Sequence, residues 1–135
     1  MATVRKHLKY SEDHIWCELE DDSTIRIGIT EYAAESLGDI LEVTLPDEGE
    51  TVEAGSECGE IDSDEKGVIE IITPVTGEIQ AVNADLIENP SLLIDDPWED
   101  GWLFTIAPDD PTELKDLKTA DEYKELIQRL EDELE

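Results

Sequence analysis

Two stretches of the chain superimpose at an offset of 28 residues: ILEVTLPDEGE, Ile40 to Glu50, lies over VIEIITPVTGE, Val68 to Glu78. Glu42 falls on Glu70, Pro46 on Pro74, Gly49 on Gly77 and Glu50 on Glu78, while Ile40, Leu41 and Val43 fall on Val68, Ile69 and Ile71. An aliphatic run closed by a Pro-x-x-Gly-Glu turn is a strand with its reversal, and a lone copy has nothing to bury its apolar face against. The repeat predicts two quasi-equivalent strand-turn units facing each other across one core. Between them stands DSDEKG, a polar, Gly-ended connection of the kind found at a hairpin tip open to solvent.

The flanking segments fit a small antiparallel barrel or sandwich. STIRIGIT alternates apolar residues at Ile25, Ile27 and Ile29, the period of a half-buried strand. TEYAAESLG then predicts one short helix, with Thr30 as N-cap, Ala33, Ala34 and Leu37 on its apolar side and Gly38 placed to end it. A helical segment over 112–134 closes the chain. Its Thr119 and Glu122 form a capping-box pattern, and Tyr123, Leu126, Ile127, Leu130 and Leu134 make an apolar stripe suited to packing on the barrel. At 135 residues the whole chain, 1–135, is the size of a single domain.

Charge excludes several partner classes. The 38 acids against 9 Lys and Arg leave a net charge of −29, a field that repels nucleic acid phosphates and anionic lipid headgroups. These acids are interleaved with regularly spaced Ile, Leu and Val, which marks a folded protein suited to high salt rather than a disordered acidic tail. MATVRKHLKY lacks the apolar run of a signal peptide and no stretch has the length of a membrane span, so the expected location is the cytoplasm.

Motifs for catalysis are absent. There is no phosphate-binding loop, dinucleotide fingerprint or nucleophile elbow, and His7 and His14 lack the spacing of a metal-binding pair or a triad. They are expected as surface or packed histidines. Cys17 and Cys58 are too few and too far apart for a disulfide framework or a zinc motif, which leaves them as ordinary thiols or, alternatively, redox partners of a dithiol. The chain is expected not to be an enzyme.

One cation stands apart. Between Arg26 and Lys115 the only lysine or arginine is Lys66, inside DSDEKG. A Schiff-base lysine needs desolvation, which an exposed tip does not supply, whereas an exposed amine is open to covalent attachment.

Across most of its length the chain resembles the lipoyl-carrying H protein of the glycine cleavage system. LKYSEDHIW, IGITEYAAESLGDILEVTLPDEGETVEAG, ITPVTGEIQAVNADLIENPSLLIDDPWEDGWLFTIAP and TADEYKELI carry the likeness. It implies a mainly β fold, a hybrid barrel-sandwich of the lipoyl and biotinyl carrier type with flanking helices. It also implies lipoate in amide linkage to Lys66, which stands eight residues before Pro74 as the modified lysine does in that family. The family's arm carries an aminomethyl group whose ammonium rests in a cleft of acids and hydroxyls; Glu70 and Thr73 fall at matching positions. The implied partners are a lipoate ligase or lipoyl transferase, a dihydrolipoamide dehydrogenase-like enzyme, glycine decarboxylase and aminomethyltransferase.

Two departures turn the expectation elsewhere. The family's Glu-Ser-Val-Lys-Ala is replaced by a longer, more acidic tip, and its His-Glu-Trp by His14-Ile15-Trp16, where Ile15 can neither accept a hydrogen bond nor pair with a cation. With these departures the chain resembles the divergent H-like lipoate-binding proteins, a resemblance that implies a carrier in oxidative sulfur metabolism working with a heterodisulfide-reductase-like complex, favoured over the glycine cleavage alternative. An unmodified structural or regulatory relative is the third reading. Whatever the cargo, the excess of acids predicts a melting temperature that climbs with added NaCl as screening shortens the reach of self-repulsion; a melting curve indifferent to salt would contradict the charge argument.

Overall fold

The computed structural model describes residue 6, residues 8–20 and residues 24–133. Nine strands and four α-helices follow in order: β1 Lys9–Tyr10, β2 Ile15–Leu19, β3 Ile25–Ile29, α1 Glu31–Leu37, β4 Ile40–Thr44, β5 Thr51–Val52, β6 Glu57–Ser63, β7 Gly67–Ile72, β8 Gly77–Val82, α2 Ala84–Glu88, α3 Leu92–Asp95, β9 Phe104–Pro108 and α4 Ala120–Glu133, with a 3-10 helix at Pro111–Asp116. A six-stranded sheet, β1-β2-β3-β9-β8-β5, packs with a three-stranded sheet, β4-β6-β7. Every strand pair is antiparallel. The architecture is the mainly β sandwich with flanking helices that the sequence implied.

Inward residues of both sheets build one apolar cluster, including Ile25, Ile27, Ile61, Ile71, Ile79, Phe104 and Ile106, each at most 2% exposed. Burying each of these side chains contributes roughly 1.5–3 kcal/mol. Strand β3 shows why alternation predicted a half-buried strand, since Ile25, Ile27 and Ile29 are buried while Arg26 between them is not. Helix α1 forms where its end signals stand. The Thr30 side chain accepts the Ala33 N–H, and Gly38, at φ 70°, takes up the left-handed backbone that terminates it.

The repeat is real in three dimensions, yet its copies do not face each other across the core. Their strand halves, β4 and β7, lie on either side of β6 in the same sheet. The chain at the ends of their turns pairs directly, Thr51 and Val52, which follow the first copy, with Glu78 and Gly77 of the second, and the Ile79 N–H donates to the Glu50 carbonyl at 2.8 Å. A sheet edge needs hydrogen-bond partners as well as apolar cover, and the paired turns supply them to each other. On the other side of β8, Gly77 permits the close approach of β9, because a Cβ there would stand 2.1 Å from the Ala107 carbonyl oxygen.

The C-terminal segment is two helices rather than one. Between the 3-10 helix and α4 the chain runs extended, and Lys118 exchanges both backbone hydrogen bonds with Tyr10, at 2.8 and 2.9 Å. Thr119 then caps α4 as a reciprocal box: its hydroxyl accepts the Glu122 N–H, and the Glu122 carboxylate accepts the Thr119 N–H. Tyr123 and Ile127 bury on a second cluster with Leu8, Tyr10, Trp16 and Trp98, Leu126 packs at its margin, and Leu134 lies outside the described residues.

Trp16 belongs to this second cluster and presses on β3. It is fully buried, its indole N–H donates to the Pro97 carbonyl at 3.0 Å, and its ring lies over Gly28. A Cβ at Gly28 would come within 2.5 Å of that ring. Gly28→Ala should therefore lower unfolding stability by about 1–3 kcal/mol, read from the midpoint of urea denaturation; an unchanged midpoint would show that the indole moves freely.

Candidate functional site

The hairpin β6–β7 is closed by the Ser63–Gly67 pair, leaving Asp64, Glu65 and Lys66 as its turn. All three are exposed. Gly67, at φ 73°, supplies the left-handed residue that returns the chain to β7. Ser63 is 2% exposed, and its hydroxyl accepts the Lys66 N–H at 2.8 Å. The turn is also held from outside, because the Asp64 N–H donates to the Asp39 carbonyl at 2.8 Å.

Beside the lysine opens a cleft of about 340 Å³. One wall is β7, the edge strand of its sheet, through Ile69, Glu70 and Ile71; the other is α1, through Tyr32, Ala33 and Leu37. Asp13, His14 and Ile15 close one end, and Lys66 lies on the lining. Aliphatic side chains make up the interior, whereas Asp13 and Glu70 are exposed carboxylates at the surface. Such a groove suits a flexible apolar chain tethered at Lys66, with carboxylates available to a cationic end.

The structure separates the residues matched from sequence. Lys66 and Glu70 share the cleft, but Thr73 does not reach it. Thr73 is fully buried at the far end of β7, and its hydroxyl donates to the Val75 carbonyl at 2.8 Å, so it has neither the exposure nor a spare proton for a surface ligand. Ile15 lines the cleft as an aliphatic wall, 3% exposed. Two residues earlier Asp13 places an exposed carboxylate on the same lining, an acid that sequence reasoning passed over because acids were everywhere.

His14 also belongs to this site, although its spacing gave no hint of it. Its φ of 65° and half-buried ring follow from a tight turn in which its N–H donates to the Ser11 carbonyl and its own carbonyl accepts the Thr30 N–H. The ring Nδ1 lies 2.8 Å from the Tyr123 hydroxyl, which is 2.7 Å from Thr30 Oγ1. One arrangement satisfies the whole chain: Thr30 donates to Tyr123 and Tyr123 donates to the neutral imidazole. The other histidine, His7, lies outside the described residues.

The cysteines are not near this chemistry. Cys17 is fully enclosed, and burial pushes its thiol far up; burial first, then the nearby Glu50 and Glu57 carboxylates, push Cys58 up to about 12. Neither lines the cleft. Both are packed thiols, inert as thiolate nucleophiles.

The glycine cleavage H-protein family model matches residues 8–130. The chain belongs to that family. A glycine cleavage system H protein from Halalkalibacterium halodurans is 42% identical over 127 residues, covering 94% of this chain and 98% of the relative. One from Streptomyces avermitilis is 45% identical over 120 residues, covering 89% and 94%. The crystal structure of a glycine cleavage system H protein from Mycobacterium marinum superimposes with a TM-score of 0.80 at 37% identity, covering 89% of this chain and 95% of that one. These relatives favour the glycine cleavage reading over the sulfur-metabolism reading that the tip and Ile15 had suggested.

Burial lowers the His14 pKa from its ordinary value near 6.5, against an opposing upward pull from Asp13. A lowered folded pKa means that the unfolded chain takes up the proton first. The His14 contribution to stability is thus complete above pH ~6.5 and shrinks as pH falls from there through the lowered folded value. Between pH 7.5 and 5.5, wild-type protein should lose stability relative to His14→Gln in paired urea titrations; parallel pH dependences for the two proteins would contradict the assigned neutral ring.

Proposed function

We propose that this chain is a lipoyl carrier of the glycine cleavage system, with Lys66 as the point of attachment. Family membership supports the cofactor and a role as a carrier without catalysis of its own. The single observation that supports the site is the position of Lys66, exposed at a hairpin tip and on the lining of an apolar cleft whose surface bears Asp13 and Glu70.

When bound, lipoate supplies a dithiolane that is reduced, oxidised or loaded with the aminomethyl group. The protein's own residues do the rest. Lys66 holds the tether by an amide, which removes the last cation of the segment between Arg26 and Lys115 and leaves the tip wholly acidic. Ile15, Ile29, Ile69 and Ile71 shelter an apolar chain from water. Asp13 and Glu70 attract an ammonium, and His14, kept neutral by burial, adds no competing positive charge to the cleft.

On this reading the chain works in the cytoplasm, is modified by a lipoate ligase or lipoyl transferase, and passes its cargo from glycine decarboxylase to aminomethyltransferase, with reoxidation by a dihydrolipoamide dehydrogenase-like enzyme. The structure's own support for that cargo over a sulfur carrier is the pair of carboxylates at the cleft, since a dithiol carrying sulfur or electrons has no need of them. No helix among the described residues is long and apolar enough to cross a membrane.

Incubation with lipoate, ATP and a lipoate ligase should add one lipoyl group, found on the peptide containing Lys66, and Lys66→Arg should abolish the adduct. The lipoylated protein should then accept label from glycine in the presence of glycine decarboxylase. Asp13→Asn with Glu70→Gln should shorten the lifetime of the loaded form about 5- to 10-fold, as loss of charge-assisted contacts worth ~1–1.5 kcal/mol would. Wild-type protein that is lipoylated but never labelled would sink the glycine assignment.

A further inference from the structure

The tip that presents Lys66 is not free. Asp64, Glu65 and Lys66 are exposed and carry acids on two of three positions, a composition with no packing of its own to hold one conformation. Even so, the backbone N–H groups on both sides of Glu65 are bound, that of Asp64 by the Asp39 carbonyl and that of Lys66 by the buried Ser63 hydroxyl. Gly38 leaves space that the Glu65 side chain occupies, since a Cβ at residue 38 would stand 2.7 Å from its Cγ and 3.0 Å from its Cδ.

Gly38 and Asp39 are the two-residue elbow between α1 and β4. The elbow sits rigidly, because Leu37 before it is 4% exposed and lines the cleft, and Ile40 after it pairs with Ser63. Asp39 and Glu65 carry like charges, so no ion pair holds the tip to the elbow; the hydrogen bond from the Asp64 N–H to the Asp39 carbonyl does. Helix α1, the elbow, the tip and the cleft form one connected unit.

We propose that the Gly38–Asp39 elbow is a positioning element for the covalent modification of Lys66, acting through the hydrogen bond from the Asp64 N–H to the Asp39 carbonyl and through a residue 38 that leaves room for the Glu65 side chain. This inference rests on the lysine assignment made above. In the modifying reaction the neutral Lys66 Nζ attacks the carbonyl of an activated lipoyl adenylate. The N–C amide bond forms, the C–O bond to phosphate breaks, AMP departs and the amine releases a proton to solvent. An enzyme that must bring its acyl carbonyl to one amine gains from a backbone already fixed in one orientation. The elbow supplies that orientation from a different part of the chain. Residue 38 is therefore where a change distant in sequence should reach the lysine.

Gly38→Ala tests this with a matched control in Gly55→Ala. Both glycines have positive φ, 70° and 87°, so both variants strain the backbone, but a Cβ at Gly55 meets nothing within 4 Å. Full-length wild type, the two single variants and Gly38→Ala/Glu65→Ala are incubated with lipoate, ATP and lipoate ligase, and intact mass follows the adduct. Melting curves establish that each variant is folded. Gly55→Ala should load at the wild-type rate and Gly38→Ala on the order of 10- to 100-fold more slowly, the effect of a misplaced reacting group. The double variant should recover most of the rate, because the colliding side chain is gone. Loading of Gly38→Ala at the wild-type rate would overturn the inference, as would a slow double variant, which would place the defect in the helix end rather than the tip. Wild-type protein left unloaded would overturn the lysine assignment itself and this inference with it.

Discussion

The site depends on β6 being held from both sides. Because β6 pairs with β4 along one edge and β7 along the other, its register is over-determined, and the Ser63–Gly67 closure of the hairpin is fixed with it. From that closure follow the three-residue turn and the exposure of Lys66. The same arrangement leaves β7 as an edge strand, and the cleft runs along that edge against α1. An edge lined by a helix and by charged side chains is protected from pairing with other chains, so the groove stays open.

Electrostatics sharpen the picture more than they stabilise it. Surface ion pairs such as half-buried Lys118 with exposed Glu12, 3.7 Å apart, contribute little, and the acid excess works against compactness. Its effect at the site is specific: Lys66 is the one cation between Arg26 and Lys115, and the carboxylates of Asp13 and Glu70 stand exposed at the cleft beside it. Burial does the complementary work at His14 and at the two thiols, keeping the first neutral and the others unreactive.

Local features were legible where their cause was local. Thr30 and Gly38 bracket α1 because capping depends on residues within one turn, and the Thr119–Glu122 box closes for the same reason. Alternation at Ile25, Ile27 and Ile29 is a property of the strand itself. What escaped was relational. Asp13 could not be told from its many acidic neighbours until the fold put it on the lysine's cleft. Thr73 matched by position, but the buried end of β7 turned it inward. The Ile15 substitution was visible in sequence, whereas the carboxylate of Asp13 on the same lining was not. The break at Leu117–Thr119 was hidden because a pairing with distant Tyr10 interrupts an otherwise helical composition.

By itself the sequence determined the β-rich class, the repeated strand-turn unit, the short capped helix and the isolation of one lysine among acids, since these rest on periodicity, turn chemistry and charge over a few neighbouring residues. Only the tertiary structure decided that the two repeats flank β6 rather than oppose each other, that Asp13, His14 and Glu70 meet beside Lys66, and that Gly38 lies beneath Glu65. Those relations join residues far apart in the chain, and close approach across a packed core is set by which sheet each strand enters, a choice made by the whole fold at once.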